Sequence, residues 1–471
     1  MSTSKADIAI IGAGPTGLGA AWRLHELGQK NWIVLEASQS VGGLASTAVD
    51  ENGFLWDMGG HVLFSHYDYF DQVIDSCMGD NWQNHVREAW IWIRNGFIPY
   101  PLQNNIWRLP EEDLLNCIDG LLSVHNKVAV PLRTDSFEDW ILRNFGKGLA
   151  DLFFLPYNRK VWAYEPKHLS ANWIQERVAT VNLSNILRNV VLRKDEYGWG
   201  PNSSFRFPSH GGTGMIWKSV AKNLPEKNLL FQKKVSQINS KDKTLTLSDG
   251  SKVKYEHLLT TIPLNQLLTM LTPVTKLAKH SDQFLYSSVN LVGVGIEGKP
   301  PKELAKKCWI YFVEDEFPFY RVTIFSNYSQ FNVPQPGKQW SLLCEISESK
   351  NRPVDQTTLA SKVLSALKHS GLVAEKSTVA SLWQKRLEYG YPTPFLNREV
   401  ILKPIEAELR TLNIYSRGRF GAWKYEVSNQ DHSFMQGVEA IDHILFGTEE
   451  LTYNHPSIVN STRQTGRKAT G

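Results

Sequence analysis

The first residues in this chain that could do chemistry together are glycines. Gly12-Ala13-Gly14-Pro15-Thr16-Gly17 leaves an apolar run and opens a helical pattern. In that arrangement main-chain amides and a helix N-terminus receive a pyrophosphate. Gly12 allows the tight turn, Gly14 the approach of the diphosphate, and Gly17 the close packing of helix on strand. Glu36 closes the next apolar run, about 20 residues on, where it can accept from both ribose hydroxyls. An acid at that position argues against a bound 2′-phosphate. A second candidate is His61, which follows Gly59-Gly60 at the end of an extended run. An imidazole titrating near neutrality suits acid–base work, and the glycine pair indicates close backbone approach. A histidine simply hydrogen-bonded to main chain is the plainer alternative.

The elements that must position these groups follow from the pattern. Asp7–Ile11 is a short buried parallel strand, the helix after it ends at Gly28, and Trp32–Leu35 is the next strand. Gly42-Gly43-Leu44 makes a second glycine turn just past the acid, the pattern of flavoproteins with two dinucleotide-binding folds. From about Tyr67 to Leu192 the chain reads as helical, with Glu111–Val124 and Asp135–Phe145 as examples and Ser136 as an N-cap. Leu229–Ser236 and Thr244–Lys254 read as strands, the latter a hairpin turning at Asp249-Gly250. Val289–Ile296, Cys308–Val313, Tyr320–Ser326 and Trp340–Ile346 alternate as an antiparallel sheet. Leu412–Ser416 is a late strand, Arg417–Gly421 a turn, and a helix from about His432 carries Phe434, Val438, Ile441 and Leu445 on one face.

The expected fold is therefore α/β. It is an FAD-binding, Rossmann-like flavoprotein fold of the two-dinucleotide-binding kind, with an inserted helical domain and an antiparallel sheet domain. Residues 1–66, 200–275 and 400–460 would form a discontinuous FAD-binding domain, 67–199 a mainly helical substrate domain and 276–399 the sheet domain. Residues 461–471, polar and basic, read as a disordered tail.

The chain has 471 residues, 42% hydrophobic and 21% charged, enough for two or three domains of a soluble globular protein. A net charge of +4, with Lys and Arg scattered, gives no reason to expect nucleic acid as a partner. Cys77, Cys117, Cys308 and Cys344 are too dispersed for a zinc site or a disulfide framework, which fits a cytoplasmic location and no metal. The nucleotide fold begins at once, leaving no room for a signal peptide, and no apolar run reaches the ~18 residues of a membrane span. Sixteen Trp and sixteen Tyr suggest aromatic-lined cavities as well as core. The oligomeric state is not set by any of these features.

Several strings then act together. They are Gly42-Gly43-Leu44-Ala45-Ser46, Gly59-Gly60-His61 through His66, Pro99-Tyr100-Pro101-Leu102-Gln103-Asn104-Asn105, Pro156-Tyr157-Asn158 through Trp162, Pro318-Phe319-Tyr320-Arg321, Gly390-Tyr391-Pro392-Thr393-Pro394, and Arg417-Gly418-Arg419-Phe420-Gly421 leading to Asn429-Gln430-Asp431-His432. Over almost the whole chain they resemble the eukaryotic-type UDP-galactopyranose mutases. The resemblance implies an FAD isomerase that interconverts UDP-galactopyranose and UDP-galactofuranose with no net redox change. N(5) of the reduced flavin attacks the anomeric carbon covalently, and NADPH is the external reductant.

The resemblance also assigns residues. Arg177 and Arg321 match the paired arginines that meet the diphosphate, and His61 the histidine beside the flavin, giving three catalytic candidates. Tyr311, Tyr391 and Tyr425 match diphosphate contacts, while Phe64, Tyr100, Gln103, Asn158 and Trp162 match the uridine pocket. Asn202 matches a sugar or phosphate contact. For the cofactor the resemblance adds Gly43, Leu44, Gly60, Val235 (a backbone contact to adenine), Arg419, Asn429, Gln430 and Ser433 to Gly12, Gly14, Pro15, Thr16, Gly17 and Glu36. His66 and Arg87 match the reductant's path. Two departures stand out: Leu102 where fungal members have an aromatic, implying a less stacked uracil pocket, and Ala89 in place of a polar residue near the NADPH route. The competing readings are an FAD-dependent amine oxidase or desaturase-like oxidoreductase, and a flavin-free binder like the Rab GDP-dissociation inhibitors.

Overall fold

A computed structural model of the protein describes residues 3–126, 135–174, 177–179, 182–197, 200, 203–273, 276–467 and 469. At its centre is a five-stranded parallel sheet in the order Leu229–Leu230, Trp32–Leu35, Ile8–Ile11, His257–Thr260, Ile414–Ser416. All four residues of strand β1 (Ile8–Ile11) are buried, as a strand covered on both faces requires. Helix α1 (Pro15–Glu26) lies on one face, and β2 (Trp32–Leu35) pairs beside β1. A long helix from Gln430 to Phe446, here α2, packs against α1 through glycine contacts. A Cβ on Gly19 would stand 2.2 Å from the Phe434 carbonyl oxygen, and one on Gly437 2.0 Å from that of Thr16. Phe434, Val438 and Ile441 are fully buried, so the apolar stripe expected on this helix faces the core.

Leu229–Ser236 does not form one strand. Leu229–Leu230 pairs with β2, whereas Val235–Asn239 joins a separate five-stranded sheet containing the Thr244–Leu247 and Lys252–Lys254 hairpin. The chain changes sheets at Gln232, whose φ is 55°.

The antiparallel sheet is larger than the sequence pattern indicated. Its seven strands run in the order Val379–Pro392, Tyr286–Glu297, Gln339–Glu348, Arg321–Ile324, Trp309–Phe312, Ala89–Ile93, Gly96–Pro99. Three strands therefore interrupt the stretch read as helical: Trp82–Val86, which pairs with Ser204–Pro208, and the hairpin Ala89–Ile93 with Gly96–Pro99. That hairpin turns at Arg94 and Asn95, with φ of 53° and 57°, as a tight two-residue turn demands. Ala89–Ile93 then pairs in parallel with Trp309–Phe312, a connection between distant segments that no local pattern reveals. Helices Glu111–His125, Phe137–Leu149 and Leu155–Trp162 follow, and Ser136 caps the second by accepting from Asp139 N at 3.2 Å. Among the described residues no helix is long and apolar enough to cross a membrane.

The tail read as disordered is docked as far as it is described. Two short helices, α3 (Leu451–Asn454) and α4 (Pro456–Ser461), lead into it. Arg463 then pairs with Asp68 at 2.6 Å and with Asp71, and Arg467 with Asp442 at 2.8 Å. Gln464 N donates to the His66 carbonyl at 2.7 Å. The basic residues that suggested solvation find acids contributed by remote helices.

Candidate active site

One cavity of about 780 Å³ is walled jointly by the glycine turns, the seven-stranded sheet and the helical insert. This lies within the ~300–1,000 Å³ of ligand sites. The glycine turns are built for close approach. Gly12 has φ of 98°, and a Cβ there would stand 2.1 Å from Thr261 Oγ1. A Cβ on Gly17 would stand 1.8 Å from the Gly12 carbonyl oxygen, so this glycine serves helix–strand packing. Gly14, by contrast, meets nothing nearer than 3.9 Å and leaves its backbone open to the cavity. The second turn is tied to the first by Gly42 N donating to Ala13 O at 2.9 Å. Glu36 is fixed at the rim by accepting from Ala13 N at 2.7 Å and Ser38 N at 2.8 Å. Neither α1 nor α2 has a side-chain N-cap hydrogen bond, and the N-cap residues of both, Gly14 and Asn429, line the cavity. Two helix N-termini thus offer free amides to an anion.

His61 lies beside Arg321 and Glu345. Gly60 presses onto the strand Arg321–Ile324: a Cβ there would stand 2.6 Å from Thr323 Oγ1 and 3.3 Å from the Arg321 guanidinium carbon. The glycine pair does mark a close backbone approach, here to the protein's own sheet. Glu345 Oε1 accepts from Gly60 N at 3.2 Å and from Arg321 Nη2 at 2.9 Å, and its other oxygen accepts from Arg321 Nε. The two side chains meet because Arg321 and Glu345 are direct partners across antiparallel strands.

Enclosure lowers the His61 imidazole to about 4, with Arg419 and Arg321 pushing the same way and Glu345 opposing. The neutral-range titration expected from the sequence is therefore absent in this enclosed position, and the ring is a neutral hydrogen-bonding group. Its Nδ1 is buried with no hydrogen-bond partner among the described residues. A pH–rate comparison tests this. The ratio of wild-type to His61→Asn turnover should stay constant within about twofold from about pH 5.5 to 8, and a tenfold change per unit would show His61 titrating there.

Arg177 and Arg419 differ from Arg321 in their partners. Arg177 Nη2 donates to Glu426 O at 2.8 Å and its Nη1 lies 3.4 Å from Asn460 Oδ1, with the guanidinium over the Tyr425 ring at 5.4 Å. Arg419 donates to Gly390 O at 2.9 and 3.1 Å and to Ser428 Oγ at 2.9 Å, and sits over Tyr391 at 5.0 Å. Neither makes an ion pair with a carboxylate among the described residues. Phenols surround them. Tyr391 is pushed up to about 12 by burial and hydrogen-bonds Tyr320 at 3.2 Å, so it stays a neutral donor. Tyr100, also pushed up to about 12 by burial, lies under Arg87 at 4.8 Å and edge-on to Tyr311 at 5.6 Å.

In the helical insert, Gln103 Nε2 donates to Ala179 O at 2.9 Å while its buried Oε1, an acceptor, has no hydrogen-bond partner among the described residues. Asn158 Nδ2 is engaged with Phe154 O at 2.8 Å, and Trp162 packs edge-on to Tyr425 at 4.9 Å.

The cavity wall thus brings together Gly12, Gly14, Pro15, Thr16, Glu36, Gly43, Leu44, Gly60, His61, Arg419, Asn429, Gln430 and Ser433 with Phe64, Arg87, Tyr100, Gln103, Asn158, Trp162, Arg177, Tyr311, Arg321, Tyr391 and Tyr425. Gly17, Val235 and His66 are not part of it, although His66 reaches the wall through Asp431, whose Oδ2 lies 2.7 Å from His66 Nδ1. Asn202 lies outside the described residues. Leu102 is fully buried and off the wall, on which Phe153 and Tyr157 stack in parallel at 5.3 Å. Sequence reasoning missed those two rings, Tyr320, Glu345 and Asp431. The i, i+4 spacing of Phe153 and Tyr157 was a readable sign; the register that sets Glu345 on Arg321 was not.

A family model for flavin-containing amine oxidoreductases matches residues 15–470. A crystal structure of reduced UDP-galactopyranose mutase superimposes with a TM-score of 0.95 at 48% identity, covering 98% of this chain and 99% of that one. The chain belongs to the flavin-containing amine oxidoreductase family, in its UDP-galactopyranose mutase branch. Protoporphyrinogen oxidase 1 of Arabidopsis thaliana is 28% identical over 36% of this chain and 33% of its own length. The chain spans 33% to 53% of the length of the curated relatives it matches. Putrescine oxidase bound to putrescine shares the fold, with a TM-score of 0.64 at 17% identity over 94% of this chain and 100% of that one.

The cofactor of this family is a flavin, and the residues present fit FAD. The open backbone at Gly14, two helix N-termini without side-chain caps and the Glu36 carboxylate at the rim suit the adenosine diphosphate portion. The unpartnered Nδ1 of His61 suits a polar ring edge.

Proposed function

We propose that this protein interconverts UDP-galactopyranose and UDP-galactofuranose on reduced FAD, with NADPH as the reductant. The observation that carries the reading is a single cavity joining the dinucleotide-type glycine turns to Arg177, Arg321 and Arg419, of which Arg177 and Arg419 make no ion pair among the described residues. A cavity with such cations favours a diphosphate and repels an ammonium, which weighs against an amine substrate. A flavin-free binder has no use for the open pyrophosphate cradle beside Glu36.

Bound FAD, when reduced, supplies the nucleophile at N(5) for the anomeric carbon. The chain supplies the rest. Arg321, braced by Glu345, and Arg177 meet the phosphates of the departing UDP and offset the charge that develops on them. Tyr311, Tyr391 and Tyr425 add neutral donors around the same oxygens. Gln103 Oε1 reads a donor on the uracil edge, between the rings of Phe64, Tyr100 and Trp162 and the Asn158 amide. His61 remains uncharged and orients the flavin edge. Arg87, on the wall, and His66, behind it, are the groups assigned to the reductant. In this reading the parallel-sheet body holds FAD, while the helical insert and the seven-stranded sheet close over UDP-sugar.

Dithionite-reduced protein should convert UDP-galactofuranose to UDP-galactopyranose, separated by HPLC, and oxidised protein should not. Unchanged substrate with fully reduced, flavin-replete protein would end this reading.

A further inference from the structure

Behind Arg177 a single carboxamide sorts donors from acceptors. Asn460, on α4, is 3% exposed. Its Nδ2 donates to Glu426 O at 3.0 Å and to Pro456 O at 2.8 Å. Both amide hydrogens go to carbonyls, so Oδ1 must face donors. It lies 3.4 Å from Arg177 Nη1 and 3.2 Å from His432 Nε2. Glu426 O accepts from Arg177 Nη2 as well, at 2.8 Å, so Asn460 and this carbonyl, hydrogen-bonded to each other, close a two-sided clamp on the guanidinium.

The clamp places a condition on His432. Its Nε2 must carry the hydrogen, because its hydrogen-bonding neighbour among the described residues, Asn460 Oδ1, is an acceptor. Burial lowers this imidazole to about 4, so it holds one hydrogen and Nδ1 must accept. The partner of Nδ1 is Tyr67 OH at 2.7 Å. With its proton given to His432, Tyr67 can only accept from Thr452 Oγ1, 2.9 Å away. Thr452 Oγ1 is in turn 2.8 Å from Glu439 Oε1, while Thr452 N donates to Glu439 Oε2 at 2.7 Å. A chain with every proton pointing toward Arg177 therefore begins with a hydrogen on Glu439. Ionised Glu439 instead accepts from Thr452, and each link reverses. That leaves the His432 Nε2 lone pair facing Asn460 Oδ1, two acceptors in contact, and the amide can no longer hold Arg177 as it does here.

We propose that Asn460 is a positioning residue for Arg177, held by the one-way hydrogen-bond chain Glu439–Thr452–Tyr67–His432, and that a proton on Glu439 favours the anion-binding pose of the arginine. The proposal rests on Arg177 meeting the UDP diphosphate. Burial raises the Glu439 carboxyl to about 7, so both states are reached near neutrality. Thr452 opposes the rise through its N–H and hydroxyl, as does Arg467 of the tail, while Glu450, just before α3, adds to it. One turn along α2, Asp442 is paired with Arg23 of α1 and with Arg467. Tyr67 stays protonated, raised well above its ordinary value by burial with Glu439 and Asp431 nearby. The hold on Arg177 is strongest below pH ~7 and relaxes above it.

The test is UDP binding to the oxidised holoenzyme, without turnover, by displacement of a fluorescent UDP conjugate between about pH 6 and 8.5. In Glu439→Gln, Thr452 N must face the amide oxygen, so the NH2 group donates to Thr452 Oγ1 and locks the chain toward Arg177. Relative to that variant, wild-type affinity should fall about 3- to 10-fold across the range; phosphate ionisation affects both equally and cancels. Asn460→Ala should bind UDP about tenfold more weakly, with unaltered flavin content and visible spectrum, and Glu439→Gln should add nothing to it. Identical pH profiles for wild type and Glu439→Gln would overturn the chain. Wild-type affinity in Asn460→Ala would overturn the positioning role. A wild-type holoenzyme that binds no UDP at any pH would instead overturn the functional reading beneath the proposal.

Discussion

Arg321→Ala should lose about 10²- to 10³-fold in turnover of the dithionite-reduced enzyme while FAD stays bound, the loss typical of removing one donor to a developing oxyanion. Arg321 faces the cavity from the middle of a buried sheet, and its strand position is fixed by pairing with Glu345 on one side and Tyr311 on the other. The Gly59–His61 turn approaches it closely at Gly60, which has no side chain to lose. A second consequence must be separated from the first. Glu345 is 2% exposed, and without Arg321 its carboxylate keeps only the Gly60 N–H among the described residues. An uncompensated buried charge of this kind costs about 3–5 kcal/mol. Arg321→Ala/Glu345→Gln removes that charge and should recover most of the stability without recovering turnover. Arg321→Lys keeps the charge but not the planar fork, and should fall between wild type and alanine. If single-variant turnover stays within a few-fold of wild type, Arg321 is a structural partner of Glu345 and no more. Parallel loss of FAD would lead to the same conclusion.

The parts of the fold that were legible in the sequence are those whose physics is local. The Gly12–Gly17 turn, the continuous apolar run of β1 and the acid ending β2 each carry their own constraint within a few residues. The antiparallel strands from Tyr286 to Glu348 could be read because they are long apolar runs, although Tyr286–Glu297 and Gln339–Glu348 are buried almost continuously and not on alternate residues as expected. Val379–Pro392 was not read as a strand, since only one residue before its last is buried and Lys385, Arg386 and Glu388 break the apolar pattern. It is an edge strand, where charge guards against unwanted pairing. The hairpin Ala89–Pro99 was hidden within a helical reading, although Ala89, Ile91 and Ile93 alternate inward, because its parallel partner Trp309–Phe312 lies more than two hundred residues away. At the site, residue types pointed to the arginines and tyrosines through their resemblance to a family. What they could not give was the distribution of charge: Arg321 shares Glu345, while Arg177 and Arg419 rest on neutral groups. Nor could composition show that His61 is enclosed, which removes its titration from the neutral range.

The same distinction between compensated and bare charge sets the largest expected stability effect, at Arg417. This residue precedes Gly418 and Arg419 on the cavity wall, yet it is fully buried itself. Its guanidinium donates to Glu450 at 2.5 and 2.8 Å, to Glu406 at 2.7 and 3.1 Å and to Ser416 O at 2.8 Å, and it lies over the Tyr453 ring at 4.0 Å. Glu450 is also fully buried, and apart from Arg417 its cationic partner is Arg410 at 2.7 Å. Arg417→Met preserves volume but strips the larger share of that compensation, so apoprotein stability should drop by about 3–5 kcal/mol in urea unfolding. The pH dependence should change sign with it. In wild type the arginines hold the Glu450 carboxyl below its ordinary value against burial. Its contribution is thus fully present above the unfolded value of ~4.3 and is lost only as pH falls through the lower folded value. Without Arg417, burial dominates and the folded carboxyl is raised, so the variant should gain stability as pH falls from about 7 to 5, where wild type gains nothing from this group. Arg417→Met/Glu450→Gln should cancel both the loss and the inverted slope. Because the loop also carries Arg419, the single variant should release FAD more readily at pH 7 than at pH 5. An unchanged urea midpoint at pH 7 would mean that the pair is replaceable by apolar contact and that the loop is held by Gly418 N on Gln436 Oε1, 2.8 Å away, instead.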